Sequence, residues 1–295
     1  MNTSIESIDV AIVGAGPAGL MAAMQAKRQG LSVALFEKNR PGGQALAANL
    51  IENFPGMPNG IRGPELVQRF IEQVKAHGIQ IRKETVTNIS KSGDLFLIKT
   101  TSQELKSSAI IIASGLSPKR LKITGEEELL GDVIFSYDNP DELPASDKRI
   151  LVIGSGDAAF DQALNFSRIA REVAIAIRKN EPKCAPILLE RAERENIEVL
   201  TGYIVRSVEK TADGVLVSFS NDERILTDLL ITCIGKEQNF NFIDDVLLKS
   251  QVPGLFWAGD CHRNMDRHIS IACGDGTAAA MDVAEYIGSL KTKNQ

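Results

Sequence analysis

The chain alternates apolar runs with amphipathic stretches, and it does so twice. Ile8-Asp9-Val10-Ala11-Ile12-Val13 is almost wholly apolar and ends at Gly14, and helical spacing begins at Leu20-Met21-Ala22-Ala23. This order predicts a buried strand, a tight turn and a helix. The helix closes near Gly30 and a second strand covers 31–36. Leu66, Val67, Phe70, Ile71 and Val74 share one face of a helix expected over 65–77. Runs at 85–89 and 95–100, joined by Ser92-Gly93-Asp94, read as a hairpin, and a buried strand follows at 109–113.

The pattern then restarts. A strand at 148–153 leads into Gly154-Ser155-Gly156, a helix at 160–169 and a strand at 173–177. A helix at 186–195 and strands at 197–200, 204–208, 215–219 and 229–234 close at Gly235. Gly14 to Gly115 and Gly154 to Gly235 are therefore one supersecondary plan used twice. A short strand ending at Gly259-Asp260 and a last helix from 267 to about 287 return to the first half. The fold class is α/β, with two Rossmann-like, three-layer dinucleotide-binding domains, the second inserted into the first. The expected boundaries are 1–115 with 245–295 for one domain and 116–244 for the other.

The glycines of the first turn have separate physical tasks. Gly14 permits the turn, Gly16 lets backbone approach a pyrophosphate, and Gly19 lets helix and strand pack closely, with Pro17 and Ala18 between them in the same cofactor-binding stretch. Unpaired N–H groups and the positive end of the helix dipole then face phosphate. Glu37, ending the second strand, is placed to accept hydrogen bonds from an adenosine ribose. In the second copy Gly154, Gly156, Asp157, Ala158 and Ala159 form the turn, while Arg178, Lys179 and Lys183 occupy the strand end. Cations there suit a 2′-phosphate, where an acid would repel it. Two such folds imply two nucleotides. The irregular stretch 41–63 is too long for an idle connection and is expected to bind something.

Composition narrows the classes. A chain of 295 residues, 43% hydrophobic and 24% charged, fits two ordinary globular domains. A net charge of −5 without a basic run argues against nucleic acid. No apolar stretch approaches the ~20 residues of a membrane helix. The first strand begins within ten residues of Met1, so a cleavable signal peptide is not expected and the cytoplasm is. Cys184, Cys233, Cys261 and Cys273 make no Cys-x-x-Cys pair and no metal-ligand cluster, and each is expected to act as a small hydrophobe.

The sequence resembles the low-molecular-weight thioredoxin reductases over nearly its whole length. The resemblance rests on GAGPAG at 14–19, GGQ at 42–44, ENFPG at 52–56, GPEL at 63–66, GSGDAA at 154–159, FWAGD at 256–260 and RHISIACGDG at 267–276. It implies FAD on the outer domain, NADPH on the inserted one, and a homodimer acting on a small redox protein. It implies further that Gly43, Gln44 and Asn53 lie by the flavin, that Gly259 and Asp260 hold the ribityl chain, and that Arg267, His268 and Ile269 meet the pyrimidine edge. His268 stands where the family usually has Gln. Its imidazole is expected either to accompany the anionic reduced ring as a cation or to hydrogen-bond as Gln does.

One departure bears on mechanism. The family carries its redox Cys-x-x-Cys just before the second phosphate turn; aligned there, without a gap, are Tyr137 and Pro140. Neither forms a disulfide or a thiolate, so reduction of thioredoxin by the family's route lacks its agent. Tyr137 and the 157–161 turn resemble instead the thioredoxin reductase-type ferredoxin–NADP reductases, which also lack the pair. The expectation is an FAD enzyme that takes hydride from NADPH and passes electrons to a ferredoxin or flavodoxin, a small oxidant or an external disulfide. The competing expectation is a redox-quiet, nucleotide-binding sensor or partner-binding flavoprotein. No residue is expected to be catalytic in its own right.

Overall fold

The computed structural model describes residues 5–137, 139–249 and 251–293. It divides into two compact units, one of residues 1–45, 52–117 and 238–295, the other of 46–51 and 118–237. The first unit opens with β1 (Glu6–Val13), α1 (Pro17–Arg28) and β2 (Val33–Glu37), then α2 (Gly63–Ala76) and β3 (Ile81–Lys83). β4 (Val86–Ser92), β5 (Leu95–Thr100) and β6 (Glu104–Ile112) follow. The sheet order is β3-β2-β1-β6-β5-β4. β1 lies parallel to β2 and β6, while β4, β5 and β6 form an antiparallel meander.

Strand alternation explains the layers. Val10 and Ile12 of β1, with Ala109 and Ile111 of β6, point into a core shared with α1 and α2. Ala11, Val13, Ile110 and Ile112 point the other way, onto Phe96, Ile98 and Ile89 of the meander. Both faces are covered, which is why these strands read as continuous apolar runs.

At β7 (Ser117–Pro118) the chain leaves this unit. The second unit contains α3 (Glu126–Leu129), β8 (Ile134–Phe135), β9 (Arg149–Ile153), α4 (Asp157–Ser167), β10 (Glu172–Ile177), α5 (Pro186–Arg194) and β11 (Glu198–Thr201). β12 (Val205–Thr211), β13 (Gly214–Phe219), β14 (Arg224–Thr227), β15 (Leu229–Thr232) and β16 (Lys236–Glu237) complete it. Its sheet, β11-β10-β9-β15-β8, is parallel, and β12-β13-β14 form a separate meander. Ile150, Val152 and Ile175 face α4, whereas Leu151, Ile153 and Leu230 face Val215, Val217 and Phe219 of the meander.

The first unit resumes with α6 (Asp245–Lys249), β17 (Leu255–Trp257), parallel to β6, and α7 (Ile269–Lys293). Two differences from the sequence expectation have physical causes. The second crossing falls at 237/238 instead of 244/245, because Phe240, Phe242, Ile243 and Leu247 pack into the meander-side core of the first unit. Residues 46–51 group with the second unit, because the side chains of Gln162 and Asn165 both donate to the Ala47 carbonyl, at 2.9 and 3.2 Å.

Candidate functional site

In the first unit, Gly14 has φ +101, and a Cβ there would stand 2.4 Å from the Ala113 carbonyl oxygen. A Cβ on Gly19 would lie 1.8 Å from the Gly14 oxygen, so the contact of α1 with the turn admits no side chain. Gly16, the N-cap of α1, differs: a Cβ on it would meet nothing within 4 Å. The space in front of Gly16 is therefore open, as the close approach of a pyrophosphate to this backbone would need. Pro17 starts the helix, where its missing N–H costs nothing.

Glycines of two other segments lie against this turn. The Gly42 amide donates to the Ala15 carbonyl at 2.7 Å, and a Cβ on Gly43 would come within 3.4 Å of the Gly16 Cα. A Cβ on Gly259 would stand 2.7 Å from that of Ala18, which sets the Gly259-Asp260 turn against the start of α1. Gln44 Nε2 donates to the Leu116 carbonyl at 3.1 Å. Asn53 Nδ2 and His268 Nδ1 lie 3.4 Å apart; with the amide as donor, the imidazole nitrogen is the acceptor. Arg267 donates twice to the Arg263 carbonyl, at 3.2 and 3.0 Å. Arg267 and His268 precede α7, which begins at Ile269.

Glu37 is engaged more fully than its motif announced. Its Oε2 accepts the Ala15 amide and its Oε1 that of Asn39, each at 2.9 Å. The carboxylate therefore fixes the glycine turn, and it keeps lone pairs beyond these two bonds. Beside it lies a cavity of about 620 Å³ whose walls include Glu37, Pro41, Ile71, Lys75, Ile79 and Lys83. Sequence reasoning missed this feature, because its walls come from the end of β2, from α2 and from β3, and no local spacing links them.

In the second unit the turn is rebuilt on Gly154 and Gly156. Gly156 caps α4 and again a Cβ would meet nothing within 4 Å, while Ala159, fully buried, takes the third-glycine position. Asp157 Oδ1 accepts the Ala185 amide at 2.7 Å, and the Lys183 amide donates to the Ser155 carbonyl at 2.6 Å. The segment that carries Lys183 is thus fastened to the phosphate turn, with Ala158 in the first turn of α4 beside it. Arg178 and Lys179 are exposed directly after β10.

The segment expected to differ from its family holds an unusual tyrosine. Tyr137 has φ +45, in the left-handed region that a bulky residue rarely enters. Burial, with Asp161 nearby as hydrogen-bond partner, raises its phenol above the ordinary range. The Lys236 ammonium lies 4.5 Å from the ring centroid. Burial pushes the Asp161 carboxyl up to about 6, against the lowering effect of the amides of Asn49 and Leu50. Asp138 lies outside the described residues. Pro140 is buried and opens a single 3₁₀ turn capped by Asn139.

All four cysteines are free. Cys261 Sγ donates to the carbonyls of Ile112 and Ala258, and Cys273 Sγ lies 3.9 Å from the Pro17 oxygen. Burial pushes both thiols up to about 11, and Cys233 up to about 12. Among the described residues no cluster of His, Cys, Asp and Glu could hold a metal, and no helix is long and apolar enough to cross a membrane.

Two sheets with parallel centres, each with a glycine turn opening a helix, define a protein with two Rossmann-like dinucleotide-binding folds. Residues 8–276 match the profile of the pyridine nucleotide-disulphide oxidoreductases, and the chain belongs to that family. Thioredoxin reductases of this family use FAD and NADPH. The chain is 33% identical to the thioredoxin reductase of Helicobacter pylori, over 95% of this chain and 99% of that one. The crystal structure of Lactococcus lactis thioredoxin reductase superimposes with a TM-score of 0.87 at 29% identity, covering 96% of this chain and 99% of that one. The crystal structure of T. acidophilum thioredoxin reductase does so at 0.85 and 28%, covering 97% of this chain and 99% of that one.

Proposed function

We propose that this oxidoreductase takes hydride from NADPH onto FAD and passes the electrons to an acceptor other than a disulfide of its own. What supports the reading is the 137–140 segment, which the sequence resemblance aligns with the family's two cysteine positions and which holds Tyr137, in a left-handed backbone and bonded to Asp161, and Pro140. In this reading the first unit holds FAD. Gly14, Gly16 and Gly19 admit its pyrophosphate, Glu37 takes the adenosine ribose beside the apolar cavity, and Asp260 takes the ribityl hydroxyls as a charge-assisted acceptor. Gln44, Asn53 and the 267–269 backbone flank the ring, and the N-terminus of α7 favours negative charge there.

The second unit holds NADPH. Gly154 and Gly156 present the N–H groups of α4, while Arg178, Lys179 and Lys183 meet the 2′-phosphate. The flavin supplies the hydride-accepting and electron-donating chemistry; the protein supplies position and electrostatics. A homodimer in the cytoplasm, passing electrons to a small redox protein such as a ferredoxin, or to a small oxidant, completes the reading.

The absorbance spectrum of the purified protein, before and after anaerobic NADPH, tests it. A bound flavin bleached by NADPH is expected, together with turnover of an artificial acceptor and none with thioredoxin. Bound flavin that NADPH leaves oxidised would favour the sensor, and thioredoxin turnover would overturn the missing-disulfide reading.

A further inference from the structure

Asp275 lies on the second turn of α7 and is mostly buried, with 13% of its side chain exposed. Its Oδ2 accepts the Gly259 amide at 3.2 Å and Arg263 Nε at 2.7 Å, and its Oδ1 accepts Arg263 Nη2 at 2.6 Å. The guanidinium is thus bound as a fork, the strong form of an ion pair, and it holds the Asp275 carboxyl below its ordinary range. The Arg263 amide donates to the Asp260 carbonyl at 3.2 Å, and the Arg263 carbonyl takes the Arg267 guanidinium. One residue on, a Cβ on Gly276 would lie 2.1 Å from the Ala18 oxygen, so α7 is seated on the start of α1 at this level.

Gly259 is the pivot. Its φ of +74 belongs to the left-handed region, and its contact with Ala18 leaves no room for a Cβ. The chain on either side of Gly259 is otherwise a short strand and one 3₁₀ turn, which have little stiffness of their own. What holds the turn is a ring of bonds closed by Asp275: Gly259 amide to carboxylate, carboxylate to Arg263, Arg263 backbone to Asp260 and to Arg267.

We propose that Arg263 and Asp275 are a positioning pair for the flavin nucleotide, locking the Gly259-Asp260 turn and the 263–268 loop in the conformation that receives FAD. The inference rests on the reading of Asp260 as a FAD ligand. Neither residue touches the cofactor in this assignment. Arg263 keeps about a third of its side chain exposed at 34%, so the pair acts through geometry more than through bare attraction.

FAD titration of the apoprotein, followed by quenching of flavin fluorescence, tests the pair with Arg263→Gln, Arg263→Lys, Asp275→Asn and the double variant Arg263→Gln/Asp275→Asn. Each Gln or Asn single variant is expected to raise the FAD dissociation constant roughly tenfold or more, the scale of one charge-assisted contact. The double variant should bind no more weakly than the worse single, because both remove the same clamp. Arg263→Lys keeps the charge but not the fork, and should fall between wild type and Arg263→Gln. Visible circular dichroism of the bound flavin at saturating FAD should change in the Gln and Asn variants, a signature that general destabilisation does not produce. Asp260→Asn is the control for the underlying reading: if it binds FAD as wild type does, the ligand assignment fails. If Asp260→Asn is weakened while the Arg263 and Asp275 variants keep wild-type affinity and dichroism, the positioning role is overturned and the site stands. Additive losses in the double variant, or losses matched by an equal fall in apoprotein melting, would likewise overturn it.

Discussion

The Asn49 amide donates to Oδ2 of Asp161 at 3.0 Å, so a carboxylate of α4 holds the backbone of the 46–51 segment. Burial makes the ionised form of Asp161 costly, and its folded pKa stands near 6 against an ordinary 3.8. Since the folded value is raised, the native state binds more protons than the unfolded chain between about pH 4 and 6. Stability from this group is therefore lost as pH rises through that window and stays lost above it.

Asp161→Asn removes the titration while keeping the shape. Any fixed cost of the amide cancels when the two proteins are compared across pH. The unfolding free energy of the variant, relative to wild type, is expected to rise by about 2 kcal/mol between pH 4 and pH 7.5. Urea titrations at the two pH values read this difference directly, and a constant difference would show that folding does not raise the Asp161 pKa.

The basic strand end gives a second expectation. Replacing Arg178 and Lys179 together with Gln should raise the KM for NADPH roughly tenfold or more, the scale of one charge-assisted contact to phosphate. The KM for NADH should hardly move, because NADH has no 2′-phosphate. Lys183 is kept in this variant, since its amide is part of the turn's own fastening at Ser155. Equal effects on both nucleotides would show that the pair is only a solvated surface.

Much of this architecture was legible because the relevant signals are local. Strand, glycine turn and helix follow one another at 8–28 and 149–167, and the alternation of Val10 and Ile12 with Ala11 and Val13 matches the two faces of a covered strand. The short elements α3, α6 and β14 were not legible, since a turn or two of helix and a four-residue strand carry too little periodicity. The same holds for the strap at 46–51 and for Asp275, whose partners lie far away in sequence. Glu37 was read as a ligand acceptor, and its bond to the Ala15 amide shows that a motif residue also builds the turn it serves.

In the proposed reading, the contact of Asn53 Nδ2 with His268 Nδ1 lies at the flavin and bears on its potential. An accepting nitrogen at that place is something a glutamine oxygen reproduces, and a protonated imidazole is not required for it. His268→Gln is therefore expected to keep the midpoint potential and its pH dependence, while His268→Leu, which accepts nothing, should shift the potential. Spectroelectrochemical titration from pH 6 to 8 decides the matter. A His268→Gln curve that is lower and flatter than wild type would show that a cationic imidazole accompanies the reduced ring.

The electron count is the expectation on which the functional reading depends. A thioredoxin reductase stores one electron pair in its flavin and another in its cysteines, whereas in the proposed reading Tyr137 and Pro140 take the cysteine positions of this chain. Cys261 and Cys273 are the candidates for a relocated pair, yet their sulfurs have separate partners: Ile112 and Ala258 for one, Pro17 for the other. Burial holds both thiols at about 11, so neither is a thiolate near neutral pH. Anaerobic dithionite should therefore bleach the flavin with about two electrons per FAD, since the ring is the one redox group of the proposal. No thiolate-to-flavin charge-transfer band should appear on the way at pH 7. Cys261→Ser and Cys273→Ser should titrate as wild type does and retain NADPH oxidation with one-electron acceptors. Uptake of about four electrons, lost in either serine variant, would establish a relocated disulfide and return the protein to the chemistry of its relatives.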